Sequence, residues 1–195
     1  MSFAMAATMF LSGCGSSEPQ TQSVTQEPVA QEKPAVIETQ EPETDKNETL
    51  PYWSTEQKNA MATAKRYLNY SAFSHSGLVD QLEYEKYPSD IAVWAADNCN
   101  ADWNEEALEA AISYVDYSGF SYNGLLDQLN YEGFTEEQAK YGADNCNADW
   151  NAEAVECAKD YLDFSDFSKE GLIDQLEYEG FTYEQALYAV EQNGF

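Results

Sequence analysis

The amino-acid sequence predicts an all-α protein of three tandem three-helix repeats that follow a disordered tether. The first observation is a period of 47 residues, at which FSHSGLVDQLEYE, FSYNGLLDQLNYE and FSKEGLIDQLEYE recur. Identity this dense at a fixed offset indicates tandem duplication of one structural unit. The second observation is helical spacing of apolar residues within each unit. The third is a change of composition near residue 52, because every Trp and Tyr lies from there onward.

The first helix of each repeat is predicted from an apolar face. In the second repeat this face is formed by Ala107, Ala111, Tyr114 and Val115, at the i, i+4, i+7, i+8 spacing of an amphipathic helix. Asp102 precedes the face and is a candidate N-cap. The other two repeats carry the same face as Ala60, Ala64, Tyr67 and Leu68, and as Ala154, Ala158, Tyr161 and Leu162.

A second and a third helix follow in each repeat. Ser121 is predicted to cap the second helix, which buries Leu125, Leu126 and Leu129. Gly133 ends it by adopting a left-handed conformation at little steric cost. The sequence TEEQ at 135–138 is a capping box, which predicts a third helix through about residue 144. The predicted repeats occupy residues 52–101, 102–148 and 149–195.

Two short helices joined by a tight glycine turn, behind a leading helix, resemble a helix-turn-helix motif. DNA binding is nevertheless not predicted, because the third helix is acidic where a recognition helix would be basic. In the second repeat it carries a single base, Lys140, and in the last repeat none. The acids of these helices are instead candidate partner-binding residues: Glu136, Glu137, Asp144, Glu184 and Glu191.

The net charge is −27, from 36 acidic residues against 9 Lys and Arg. Such a surface repels nucleic acid and anionic lipid, and it attracts a basic protein partner over roughly a Debye length, ~8 Å at physiological salt. The charge is uneven, at −2 for residues 52–101, −9 for 102–148 and −10 for 149–195. A basic partner is therefore expected to dock on the last two repeats. The alternative is that the acidity serves only solubility.

Residues 1–14 are typical of a lipoprotein signal peptide. An apolar run ends in Leu11-Ser12-Gly13-Cys14, the pattern of a lipobox in which Cys14 is the site of lipidation. The segment departs from the usual pattern in having no Lys or Arg. Residues 15–51 hold five of the six prolines and no aromatic residue, which predicts a disordered linker. We therefore expect a protein on the extracellular face of the cell membrane that contacts the membrane through its lipid anchor only.

The pattern FS-x-x-GL-x-x-QL-x-YEGFT-x-EQA, followed by DNC-x-ADWN, resembles the repeat of the Ltp family of host-cell-surface-exposed lipoproteins of Gram-positive bacteria and their phages. The resemblance covers residues 52–195 in three copies, and the first copy departs from it at Lys86-Tyr87-Pro88. It implies helix-turn-helix-like repeats on a lipid anchor. It also implies phage superinfection exclusion, in which DNA injection is blocked by engaging the tape-measure protein. A wall-associated binding or spacer lipoprotein without a phage role is the alternative.

Neither catalysis nor a cofactor is predicted, because no convergent set of reactive residues is present. His75 is the sole histidine and occurs in one repeat of three, as a surface residue. A calcium-binding repeat is a more distant alternative, since oxygen-bearing side chains fall at EF-hand-like spacing. The glycine of such a loop is replaced by Trp103 and by Trp150. The candidate calcium ligands are Asn98, Asn100, Asp102, Asn104, Glu106 and Glu109, and Asn145, Asn147, Asp149, Asn151, Glu153 and Glu156.

The remaining cysteines and aromatic residues allow more than one interpretation. The sequence permits either a Cys146–Cys157 disulfide with Cys99 free, or three small buried side chains, and no zinc site is indicated. Tyr122 and Tyr183 differ between copies and are weak candidates for partner contacts. The aromatic residues expected to form the repeat cores are Trp103, Trp150, Tyr114, Tyr161, Phe120 and Phe167.

Overall fold

The structure is a computed structural model that describes residues 53–195. The predicted signal peptide, Cys14 and the predicted linker lie outside the described residues. Residues 53–195 form nine α-helices and no strand, three helices to each repeat, which confirms the predicted all-α class. The helices are α1 (Thr55–Leu68), α2 (His75–Tyr84), α3 (Ser89–Asn98), α4 (Trp103–Tyr117), α5 (Tyr122–Tyr131), α6 (Glu136–Asn145), α7 (Trp150–Phe164), α8 (Lys169–Tyr178) and α9 (Tyr183–Gln192).

The helices begin at the residues that the sequence predicts as caps. Asp102 accepts hydrogen bonds from the first backbone amides of α4, with 3.0 Å to the amide of Asn104. Ser121 accepts from the amide of Gly124 at 2.8 Å. Thr135 and Gln138 exchange the two hydrogen bonds of a capping box. Caps of this kind stabilise a helix by about 1 kcal/mol each, so short helices of ten residues have defined starts.

Each repeat has its own small core, which two leucines of the second helix and the alanines of the first and third helices dominate. In the second repeat Leu125 and Leu129 are fully buried, and Leu126 packs at the edge. Small residues allow the first and third helices to approach closely. At Gly142 of α6 even a Cβ would be too large, because it would lie 2.5 Å from the carbonyl oxygen of Ala107 in α4. Rings complete each core from its edge, as in the edge-to-face pair of Tyr114 and Phe120.

The two tryptophans contribute to repeat cores, as predicted, and each does so in the repeat that precedes its own helix. Trp103, the first residue of α4, packs against the core of the first repeat. Trp150, the first residue of α7, packs against the core of the second. Both side chains are half-buried. Each tryptophan therefore joins its repeat to the preceding one, because the first turn of its helix abuts that neighbour.

The turn after the second helix has the same shape in all three repeats, although the first repeat has Lys86 where the others have glycine. The backbone is left-handed at each site, with φ of 72° at Lys86, 87° at Gly133 and 91° at Gly180. The amide of Tyr87 donates to the carbonyl of Leu82 at 3.1 Å, as its equivalents do in the other repeats. The departure from the family pattern at 86–88 thus leaves the turn intact, at the cost of one unfavourable backbone conformation.

Lys86→Gly should stabilise the protein by roughly 0.5–1 kcal/mol, because glycine removes the left-handed penalty at an exposed position. Urea unfolding followed by circular dichroism measures the change. The reverse substitution, Gly133→Lys, should destabilise by more than this amount, since a Cβ there would lie 2.1 Å from the Ser76 hydroxyl. A loss of stability in Lys86→Gly would contradict the backbone argument.

Candidate partner-binding surface and repeat junctions

Three of the five acids predicted to bind a partner are exposed carboxylates at helix starts. Glu136 and Glu137 lie in the first turn of α6, and Glu184 lies in the first turn of α9. All three are exposed. The helix dipole favours acids at this end, so each carboxylate also contributes to the stability of its own helix. They present negative charge to solvent on the second and third repeats.

The other two predicted acids are engaged within their own repeats. Asp144 accepts hydrogen bonds from the Lys140 ammonium and, at 2.7 Å, from the hydroxyl of Tyr122. The lysine first, and then the tyrosine, lowers the pKa of Asp144 below its ordinary value. Glu191 forms an ion pair with Lys169 at 3.5 Å. These two carboxylates therefore offer a partner less unpaired charge than Glu136, Glu137 and Glu184.

Tyr122 is not the exposed contact residue that the sequence suggests. It is half-buried, and its ring packs edge-on against Trp150 with centroids 5.4 Å apart. His75 occupies the same place in the first repeat, where it pairs with Asp97 at 2.8 Å and packs on Trp103. The histidine is thus a half-exposed residue of the contact between repeats. Tyr183 is exposed, as expected.

The contact between successive repeats is a junction built around a buried serine. Ser74 caps α2 by accepting from the amide of Gly77 at 2.9 Å. Its hydroxyl donates at 2.5 Å to the carbonyl oxygen of Glu132, which belongs to the next repeat. Ser121 does the same for the second junction, with 2.5 Å to the carbonyl oxygen of Glu179. Both serines are buried, so the two junctions have one geometry.

A carboxylate completes each junction from the other side. The backbone amide of Phe73 donates to Glu106 at 3.2 Å, and that of Phe120 donates to Glu153 at 3.2 Å. Partial burial raises the pKa of both carboxyls, while the backbone hydrogen bond opposes that shift. Each glutamate satisfies an amide that the contact between repeats would otherwise bury without a partner.

Several of the candidate calcium ligands are thus residues of the junction and its helix caps. Asp102 caps α4, Glu106 binds the amide of Phe73, and Asn98 donates to the carbonyl of Trp94 at 2.8 Å. Asn100 and Asn147 adopt left-handed backbone conformations in the connecting loop. Across residues 53–195, no group of three or more His, Cys, Asp or Glu side chains has a geometry that could hold a metal ion.

The cysteines of the described residues are buried free thiols. Cys99 and Cys146 end the third helices, and each thiol contacts the carbonyl of the residue three positions before it. Burial is the main reason that the pKa of Cys157 is raised to about 12. Of the two interpretations that the sequence permits, the structure therefore has small buried side chains and no Cys146–Cys157 bridge.

Two positions in each repeat carry an aromatic ring in solvent, and helical periodicity in the sequence does not predict them. One lies at or just beyond the end of the first helix, and the other is the last residue of the second helix. The six rings are between 72% and 90% exposed. The signal that could have revealed them is an aromatic residue recurring every 47 positions outside the apolar helix faces. We call these residues the exposed aromatic pairs: Tyr70 with Tyr84, Tyr117 with Tyr131, and Phe164 with Tyr178.

The effect of Glu106 on stability should depend on whether its replacement can still accept a hydrogen bond. Glu106→Ala should lose about 1 kcal/mol, because the amide of Phe73 loses its partner. Glu106→Gln keeps an acceptor and should be close to wild type or more stable at pH 7, since it buries no charge. Urea unfolding at a series of pH values measures both effects.

The pH dependence has a defined sign. The raised pKa means that the folded state takes up the proton first, so this group contributes stability at pH below 4.5, the ordinary value. That contribution is lost as the pH rises through the folded value. The wild type should therefore gain stability relative to Glu106→Gln as the pH falls from 7 toward 4.5. Glu83→Gln, the same change at an exposed position, is the control, and an equal pH effect there would contradict the assignment.

The fold and this surface define a helical repeat protein in which exposed rings recur in every repeat. No described helix has the length and apolar character needed to cross a membrane. The family model described as host cell surface-exposed lipoprotein matches residues 55–99, 102–146 and 149–192. The chain therefore belongs to this family of lipoproteins, the Ltp family, as its repeat pattern suggests.

A solved structure of a family member is similar to the chain in sequence. It is Ltp, a superinfection exclusion protein from the Streptococcus thermophilus temperate phage TP-J34. The identity is 30% over 47% of this chain and 95% of that chain, with a TM-score of 0.44. No curated protein matches the chain. The family is described by its surface location and lipoprotein nature rather than by an enzymatic activity.

Proposed function

We propose that this protein is a lipid-anchored surface protein that excludes superinfecting phage by binding a basic protein segment and so blocking DNA injection. The observation that carries the proposal is 30% identity to a superinfection exclusion protein, over nearly the whole length of that protein. Cys14 would carry the lipid, and residues 15–51 would hold the repeats away from the membrane. Binding, and not chemistry, would be the activity of the repeats.

The charge distribution supports a basic protein partner. The second and third repeats carry −9 and −10, against −2 for the first. Glu136, Glu137 and Glu184 leave unpaired negative charge on these two repeats. A negative surface of this kind accelerates the encounter with a positive partner and disfavours negatively charged ones. A tape-measure protein leaving a phage tail would be captured if it exposed a basic segment at the membrane.

Expression of the full chain in a phage-sensitive host tests the function. We expect normal phage adsorption with blocked DNA entry, because the repeats act after attachment. Cys14→Ser should abolish exclusion and release the protein to the medium, because anchoring concentrates the repeats at the site of injection. Adsorption and entry of labelled phage DNA are measured separately. Unchanged plating across many phages would favour the alternative, a wall-associated binding or spacer lipoprotein.

Neutralising the exposed third-helix acids should weaken exclusion. The variant Glu136→Gln, Glu137→Gln, Glu184→Gln removes three charges from the second and third repeats, and we expect its plating efficiency for the excluded phage to rise by tenfold or more. The matched control, Glu56→Gln, Glu83→Gln, Asp90→Asn, removes three exposed charges from the first repeat and should exclude like wild type. Circular dichroism melts verify folding, since each acid at a helix start contributes about 0.3–1 kcal/mol. Equal exclusion by both variants would contradict a site on the distal repeats.

A further inference from the structure

The exposed aromatic pairs are retained in all three repeats although they do not contribute to the cores. Other exposed positions change from copy to copy: Ser76 is replaced by Asn123 and Glu170, and Ser89 by Glu136 and Tyr183. The rings that the fold needs are separate ones, such as Tyr67 and its equivalents, which pack against the cores. Because these rings recur in every repeat without being buried, a contact outside the repeat is a candidate reason for a ring there.

An exposed carboxylate accompanies each pair. Asp80 lies four residues before Tyr84 on the solvent face of α2, and side chains at this spacing are neighbours on a helix. Asp127 stands in the same relation to Tyr131, and Asp174 to Tyr178. All three aspartates are exposed. Every repeat therefore presents a ring and a negative charge together.

The two rings of a pair lie next to the residues of one contact between the first and second helices. The hydroxyl of Tyr67 donates to Glu85 at 2.6 Å and accepts from Gln81 at 3.1 Å, which holds the end of α1 against the last turn of α2. Tyr84 lies between Gln81 and Glu85 in the sequence, and Tyr70 follows Tyr67 by three residues. The same tyrosine–glutamine–glutamate contacts recur in the second and third repeats.

We propose that the three exposed aromatic pairs, with Asp80, Asp127 and Asp174, bind Arg or Lys side chains of a protein segment that carries them at repeated intervals. The proposal deepens the proposed function and rests on it. A cation over a tyrosine ring gains a few-fold in affinity at an exposed site, and an adjacent carboxylate adds charge complementarity. The net charge of −27 opposes a second copy of this chain, nucleic acid or anionic lipid as the occupant.

The repeated junctions make three such sites act together. The Ser74 and Ser121 hydrogen bonds across the junctions are both 2.5 Å, and those to Glu106 and Glu153 are both 3.2 Å. Successive pairs are therefore related by one repeated geometry. Once one cation of such a segment is bound, its other cations are held at a high effective concentration near the remaining sites. Weak single contacts therefore combine into a higher overall affinity.

The test removes rings without changing charge. In the full chain, Tyr84→Ala, Tyr131→Ala, Tyr178→Ala is compared with wild type for binding of a labelled 30-residue peptide with Arg at every fourth position, by fluorescence anisotropy. We expect about tenfold or greater loss of affinity, because three contacts of a few-fold each multiply. Tyr84→Phe, Tyr131→Phe, Tyr178→Phe should bind like wild type, since the ring is what binds and Phe164 already serves in one pair.

A matched control replaces exposed rings outside the pairs. Tyr188→Ala, Phe195→Ala should leave the affinity unchanged, and a loss equal to that of the triple variant would overturn the proposal. Equal binding by wild type and the triple alanine variant, or no binding by wild type at low salt, would also overturn it. So would binding of purified cell-wall polysaccharide that is insensitive to salt and lost in the triple variant, because the rings would then stack on sugars.

The plating assay on the same variants separates this proposal from the proposed function. Loss of both peptide binding and phage exclusion in the triple alanine variant supports the pairs as the partner contact. Full exclusion by a variant that no longer binds the peptide would overturn the pairs as that contact and leave phage exclusion standing. Ring-dependent peptide binding by a wild type that excludes no phage would refute the proposed function and retain the binding site.

Discussion

The buried hydroxyl of Ser74, repeated as Ser121, is the interaction on which the arrangement of the repeats depends. One side chain caps its own helix and donates to a carbonyl of the next repeat, so the start of α2 and the end of α5 are joined at a single oxygen. Cores of about ten buried side chains are small, and contacts with neighbours add to their stability. The serine hydroxyl also lies so close to the facing turn that a side chain there would collide with it, which explains the glycine at positions 133 and 180.

The same junction accounts for the divergence of the first repeat. Junction positions that present a carboxylate or a glycine to a preceding repeat are replaced in it: Glu106 and Glu153 correspond to Asn59, and Gly133 and Gly180 correspond to Lys86. Trp103 and Trp150 correspond to Glu56. Residues that face the following repeat, such as Ser74 and Phe73, are kept. The first repeat therefore has a polar upstream face, as terminal repeats of helical arrays commonly have.

Local sequence patterns were sufficient to predict the helices, because caps such as Asp102 and Thr135 act within one turn of chain. Contacts between repeats are harder to predict from the sequence. The Asn-x-Asn-x-Asp loop at 98–102 is compatible with calcium coordination as well as with a helix cap beside a junction. The sequence does not assign Trp103 and Tyr122 to the junctions for the same reason: helical periodicity indicates which face of a helix is apolar, and not which repeat that face contacts. The exposed aromatic pairs lie outside the apolar helix faces, so helical periodicity does not predict them, and only their recurrence at the 47-residue period marks them in the sequence.

Charge and rings would act at different ranges in capturing a partner. Unpaired acids such as Glu137 and Glu184 attract a basic segment over about 8 Å without selecting its conformation. The rings act only on contact, and they bind most tightly a segment whose cations have the same spacing as the repeats. Because the junctions are held by buried hydrogen bonds, little ordering of the array is required on binding, which reduces the entropic cost. A rigid array of weak sites would therefore bind well to a protein that passes the membrane as an extended chain. Each newly exposed stretch of that chain would offer the three sites another set of cations.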